Sequence, residues 1–181
     1  MAMKKIIILR MIGGLLVFNL GACTKSTNVE LGSVSDLTGT WVLKSILLGD
    51  IMDLPCGVQN EGIFEPITLT LTTTKDETEA MLLLNGRSSV NQYFGRYTVE
   101  LYNETKKNGK LKMVPIRSTK MGGYPELMKC ESRYFSLLEQ AVDFQLSTTN
   151  GKQQLELGAF SEQEATGLIG NKGNFLIFEK K

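Results

Sequence analysis

Asn91-Gln92-Tyr93-Phe94-Gly95-Arg96-Tyr97-Thr98-Val99-Glu100-Leu101 is the stretch that decides the fold. Tyr93, Gly95, Tyr97, Val99 and Leu101 occupy every second position, with mostly polar residues between them. Side chains alternate between the two faces of an extended chain, so this pattern predicts a long, half-buried strand. Gly95 falls between two tyrosines, where it relieves crowding or permits a bulge. Upstream, residues 81–84 (MLLL) end in Asn85-Gly86, a pair suited to a hairpin turn. Before them Ile67, Leu69 and Leu71 alternate with threonines, and residues 40–48 (TWVLKSILL) alternate at first and then turn wholly apolar. Downstream, residues 106–110 (KKNGK) predict a polar Asn-Gly turn into a strand carrying Leu111, Met113 and Ile116. Val142, Phe144 and Leu146 alternate again, and Thr149-Asn150-Gly151 turns the chain into Leu155 and Leu157. Residues 175–178 (FLIF) close the series, giving about eight strands.

One segment departs from this period. Residues 125–141 (PELMKCESRYFSLLEQA) begin with Pro125 and Glu126, which suit a first helical turn. Leu127, Cys130, Tyr134, Leu138 and Ala141 then recur at three- and four-residue intervals and form an apolar face. One amphipathic helix among antiparallel strands predicts a mainly β fold. Its form is a strongly bent antiparallel sheet or barrel of about eight strands, with the helix packed across one face or opening.

The N-terminus predicts where the protein resides. Lys4, Lys5 and Arg10 accompany an apolar run that ends in Leu20-Gly21-Ala22-Cys23. These are the parts of a bacterial lipoprotein leader, with cleavage before Cys23 and acylation of its thiol. Several acyl chains on one cysteine hold a protein on a membrane, since each buried methylene contributes about 0.8 kcal/mol. The expected organisation is a signal peptide at 1–22, a lipidated tether at 23–36 and one folded domain at 37–181. The expected location is the bacterial cell envelope, with the outer membrane's periplasmic face favoured because no acidic run follows Cys23. The chain has 20 Lys and Arg against 19 Asp and Glu, so losing a leader with three basic residues leaves a weakly acidic body. That balance argues against nucleic acid as a partner.

Composition also narrows the chemistry. The chain has no histidine, which removes Ser-His-Asp and Cys-His triads and most zinc sites. No metal or other cofactor is expected. Asp50 with Asp53, or Glu61 with Glu65, could form a carboxylate pair, but solvated loop charges account for them as well. Gly167, Gly170 and Gly173 recur at three-residue spacing without the Lys-Ser ending of a phosphate loop, and read as a hairpin connection. Lys106, Lys107, Lys110 and Lys112 surround a turn and read as a solvated edge, or as a contact for anionic headgroups. Trp41 reads as core.

Several short motifs, taken in order, resemble the META domain family, the HslJ-like proteins. Residues 37–43 (LTGTWVL) are similar to its opening strand. Residues 91–97 resemble its Asn-x-aromatic-x-Gly-x-Tyr strand, and residues 118–121 (STKM) its Ser-Thr-(Arg or Met)-Met segment. The resemblance spans about 36–180 and marks Asn91, Tyr93, Gly95, Tyr97, Ser118, Thr119 and Met121 as candidate site residues. It implies a β-rich envelope protein linked to heat shock or antibiotic tolerance.

Two departures concern cysteine. Many relatives carry one directly before the motif Asn and another shortly after the Ser-Thr segment, where this chain has Val90 and Gly123. Joint loss is what a disulfide between those two family positions would predict. This chain instead has Cys56 and Cys130, either bridged in an oxidising envelope or, for Cys130, simply buried on the helix's apolar face. The expected function is a non-enzymatic envelope lipoprotein that binds an envelope component or supports stress tolerance. A lipocalin-like carrier of a small apolar ligand is the alternative, and an enzyme using carboxylates alone is a distant third.

Overall fold

Period-two patterning is realised in strands whose order in space follows their order in sequence. The computed structural model describes residues 31–49, 51–55, 65–77, 81–160 and 173–181. A 3-10 helix at Leu31–Leu37 leads into β1 (Gly39–Leu48), β2 (Ile51–Asp53), β3 (Thr68–Lys75) and β4 (Leu82–Arg87). Then come β5 (Gln92–Asn103), β6 (Asn108–Met113), β7 (Arg117–Ser118) and helix α1 (Pro125–Gln140). The chain ends with β8 (Asp143–Thr149), β9 (Lys152–Phe160) and β10 (Gly173–Lys180).

All pairings are antiparallel, and β10 returns to β1, so β1-β3-β4-β5-β6-β8-β9-β10 close into an eight-stranded barrel. Closure removes the unpaired edges that an open sheet of this length would expose. The two remaining strands extend the pairing locally. β2 pairs with the second half of β1 beyond the reach of β3, and β7 pairs with Tyr93 and Phe94 where β6 has not yet begun.

Large side chains fill the interior. Trp41, Tyr93, Tyr97, Tyr134, Phe144 and Phe178 are fully buried, together with Leu69, Leu71, Leu84, Leu155 and Leu157. Two bulges explain where simple alternation stops. The β1–β10 register shifts between Leu43 and Ser45, so the buried face passes from Trp41 and Leu43 to Ile46. A shift between Val99 and Leu101 on β5 turns Leu101 outward to 48% exposure, while Tyr102 packs against the core. The expected inward-facing run therefore ends one position early.

Two of the expected turns lie elsewhere. Asn85-Gly86 sits inside β4, and the chain reverses over residues 88–91, where the Ser88 N–H donates to the Asn91 carbonyl at 2.8 Å. Gly86 is there for space: a Cβ would lie 2.1 Å from the Thr68 carbonyl oxygen and 2.5 Å from the Tyr93 hydroxyl. Asn108 and Gly109 likewise belong to β6, and the β5–β6 turn falls on residues 104–107, with Lys107 at φ 54°. The Asn150-Gly151 turn is as expected, with φ of 53° and 78°.

The barrel has two differently stopped ends. α1 crosses the end marked by Asn91, Tyr93 and Thr68, and packs on β6, β9 and β10. The 3-10 helix fills the end near Tyr102 and the β5–β6 turn, with Val34 and Leu37 buried. The last turn of the expected tether is thus part of the folded body. Among the described residues no helix is long and apolar enough to cross a membrane.

Candidate functional site

The family-like motifs converge at the α1 end. The helix begins with Pro125 at its N-terminus and Glu126 in its first turn, and it buries Cys130, Glu131, Tyr134 and Leu138 against the barrel. Glu131 is the exception on that apolar face, being 6% exposed. Its Oε1 accepts from Asn91 Nδ2 at 2.8 Å, and its Oε2 accepts from the Asn91 N–H at 2.9 Å and from the Ser88 hydroxyl. Asn91 turns its other side to the segment before the helix. Its Oδ1 accepts from Thr119 Oγ1 and from the Met121 N–H, both at 2.8 Å, while Nδ2 also reaches the Met121 carbonyl at 3.4 Å. All donors and acceptors of the Asn91 amide are therefore used. The arrangement is a clasp joining the 88–91 turn, the 119–121 segment and α1.

Tyrosines continue the clasp inward. The Tyr93 hydroxyl donates to the Thr68 carbonyl at 2.7 Å and accepts from the Tyr134 hydroxyl at 2.7 Å. Their rings meet edge to face at 5.8 Å. Tyr97 donates to the Thr72 carbonyl at 2.9 Å. Burial pushes all three phenols up from their ordinary value, and for Tyr93 the neighbouring Tyr134 adds to the rise. All stay neutral near pH 7 and serve as structural hydrogen-bond groups.

The structure brings Asn91, Tyr93, Thr119 and Met121 together, and Ser118 pairs with Tyr93 on β7. Gly95 stands apart: a Cβ there would make only ordinary contacts, 3.4 Å from Leu84, and the β4–β5 register runs through it without a bulge. Val90 and Gly123 are neighbours, since a Cβ on Gly123 would lie 3.0 Å from Val90 Cγ2. Cys130 is disulfide-bonded. Cys23 and Cys56 lie outside the described residues, as do Asp50, Glu61, Gly167 and Gly170. Asp53 pairs with Arg133 at 2.9 Å and Glu65 with Arg87, so each of these carboxylates is occupied by a guanidinium. In the lysine turn, Lys107 pairs with Asp36 at 2.6 Å and Lys110 with Asp143 at 3.4 Å. No cluster suited to holding a metal occurs among the described residues.

Glu131 and Ser88 escaped the sequence reading. The available signal was a glutamate spaced with Leu127, Tyr134 and Leu138 on the apolar stripe, where a charge requires a polar partner. The outward side of β5 was also passed over. Phe94 is 52% exposed, between Asn85 on β4 and Arg117 on β7, with Gln92 and Arg96 on either side along its own strand. Two shallow depressions share Phe94 and Asn85. One, of about 370 Å³, is lined by Asp76, Leu83, Arg96, Pro115 and Arg117; the other, of about 420 Å³, by Thr68, Thr70, Arg87, Gln92 and Thr119.

Comparison with known proteins places this architecture. The sequence model of the META domain matches residues 35–168. An NMR structure of a protein from Burkholderia xenovorans is similar, with a TM-score of 0.54 and 21% identity, covering 82% of this chain and 87% of that one. At that identity the likeness concerns the fold. No curated protein matches the chain.

Proposed function

Because the chain belongs to the META domain family, whose model spans most of its folded body, we propose that it is a non-enzymatic lipoprotein of the bacterial cell envelope, acting through the outer surface of its barrel. The observation that carries this reading is the filled interior. Trp41, Tyr93, Tyr97, Tyr134, Phe144 and Phe178 occupy the space that a carrier would reserve for its ligand, and helices stop both ends. The neutral phenols and the clasped Glu131 carboxylate offer no exposed acid, base or nucleophile. Recognition is then left to side chains that point outward, with an envelope component as the partner and stress tolerance as the benefit to the cell.

The leader supports the location. Cys23 follows Leu-Gly-Ala and is the acylation site in this reading, so its thiol is not free to pair. The chain has three cysteines, so acylation of Cys23 would leave Cys56 as the partner of the disulfide-bonded Cys130. A structural disulfide suits an oxidising envelope compartment.

Metabolic labelling with radioactive palmitate tests the anchor. The full chain should take up label and fractionate with membranes, and Cys23→Ser should abolish both. Label retained in the variant, or a wild-type chain that stays in the cytosol, would contradict the proposal. A deletion strain should lose viability under heat or envelope-directed antibiotics, and undiminished survival would remove the stress role.

A further inference from the structure

We propose that the outer face of β3, β4, β5 and β7 is a binding site for an acidic oligosaccharide, seated on Phe94 and held by Arg117. The inference rests on the reading of the barrel as an outward-acting envelope protein and names the ligand class of that surface. Three observations support it.

Phe94 comes first. Its neighbours Gln92 and Arg96 alternate outward with it, and cross-strand pairing places Asn85 directly beside it on one side and Arg117 on the other. The ring is 52% exposed and lies among amide, hydroxyl and guanidinium groups rather than in an apolar patch. An exposed ring presents its face to the C–H side of a sugar. The hydroxyls of Thr68, Thr70 and Thr119 are engaged within the barrel, while the amides of Asn85 and Gln92 beside the ring offer both donors and acceptors to hydroxyl groups. A hydrophobic peptide or acyl chain would leave those polar groups uncompensated.

Charge supplies the second argument. Arg87 is occupied by Glu65, and Arg96 lies 3.7 Å from Asp76. Among the described residues Arg117 has no ion-pair or side-chain hydrogen-bond partner, although its planar fork suits a carboxylate in bidentate geometry. The ligand therefore brings its own carboxylate to this position.

The third is extent. The two depressions lie on opposite sides of Phe94 and share it, so one sugar ring occupies each and the chain between them crosses the phenyl face. This geometry calls for a disaccharide or longer. Binding involves no covalent step.

The test is an array of uronic-, muramic- and sialic-acid oligosaccharides, each beside its carboxyl-amidated counterpart, probed with the full-length chain purified in detergent. The expected result is binding to at least one acidic member, with a loss of tenfold or more on amidation. Phe94→Ala should abolish binding, and Arg117→Gln should bring the acid and amide forms to equal affinity. Both side chains are exposed, and an unchanged thermal melt would show that the variants remain folded. Silence across the array, or wild-type binding by both variants, would overturn the site. Capture of acidic peptides but no glycan would also overturn it, in favour of a protein partner. None of these outcomes depends on acylation of Cys23, so a failed glycan site and a failed lipoprotein assignment are separately visible.

Discussion

The two ends of the barrel are stopped by different physics. At the α1 end, a carboxylate is buried and its acceptors are met by Asn91 and Ser88, so closure depends on a clasp away from bulk water. At the opposite end, the 3-10 helix inserts Val34 and Leu37, and the Trp41 indole N–H donates to the Leu37 carbonyl at 2.8 Å. The polar contacts around that plug are more open: Asp36 accepts from Tyr102 at 2.9 Å and from Lys107 at 2.6 Å, with the lysine in solvent. A buried hydrogen bond to a charged group contributes about 1.5–3 kcal/mol, whereas a surface ion pair contributes about 0–1. One end is secured by polar satisfaction, the other by apolar insertion.

That contrast is broken most severely at the clasp. Asn91→Ala removes the donor to Glu131 Oε1 together with the acceptor of Thr119 and Met121, and Glu131→Ala leaves Asn91 Nδ2 only its long contact with the Met121 carbonyl; each should cost about 3–5 kcal/mol, read as a fall in the urea midpoint. Glu131→Gln should rescue only in part, because its amide turns a donor toward groups that are themselves donors. A clasp variant with a wild-type midpoint would refute the polar account of this end. At the other end, Leu37→Ala removes a buried side chain that is 1% exposed and should cost about 2–4 kcal/mol in the same assay.

The contact between Val90 and Gly123 sharpens the comparison at the clasped end. Oxidised Val90→Cys/Gly123→Cys should form a bridge and stand about 4 kcal/mol above its reduced form, by loop-entropy reasoning. Free thiols under oxidising conditions would mean that the two positions are not close. The smallest effect belongs to Lys107→Met. The Lys107 ammonium, and then the Tyr102 hydroxyl, hold the Asp36 carboxyl below its ordinary 3.8. A depressed folded-state value means that the pair contributes above the unfolded value and loses its contribution as pH falls through the folded one. Lys107→Met should therefore lower the midpoint slightly at pH 7 and converge on the wild-type value below pH 4, which flattens the decline in stability with acid. An undiminished acid slope would assign it to other carboxylates.

The barrel strands were legible because alternation reports burial directly, and α1 because its apolar stripe is long. What escaped was set by contacts distant in sequence. Asn85-Gly86 resembles a hairpin turn in isolation, yet Gly86 is required by Thr68 and Tyr93 across the sheet. Leu101 continues the alternation of β5, but a bulge after Val99 turns it outward. The 3-10 helix is too short to show a period, so Val34 and Leu37 gave no sign of insertion. At the site, the motif residues Asn91, Thr119 and Met121 were visible, while Glu131, which Asn91 meets on α1, was hidden as a charged residue within a helix. Phe94 and Arg117 acquire meaning only once β4, β5 and β7 lie side by side.

Hydrogen exchange of the full chain, followed residue by residue, tests the contrast most directly. The Asn91 amide and those in the middle of α1 should exchange only through global unfolding, while those of the 3-10 helix should exchange through a smaller local opening. Equal protection at the two ends, or faster exchange at the clasp than at the plug, would contradict the account.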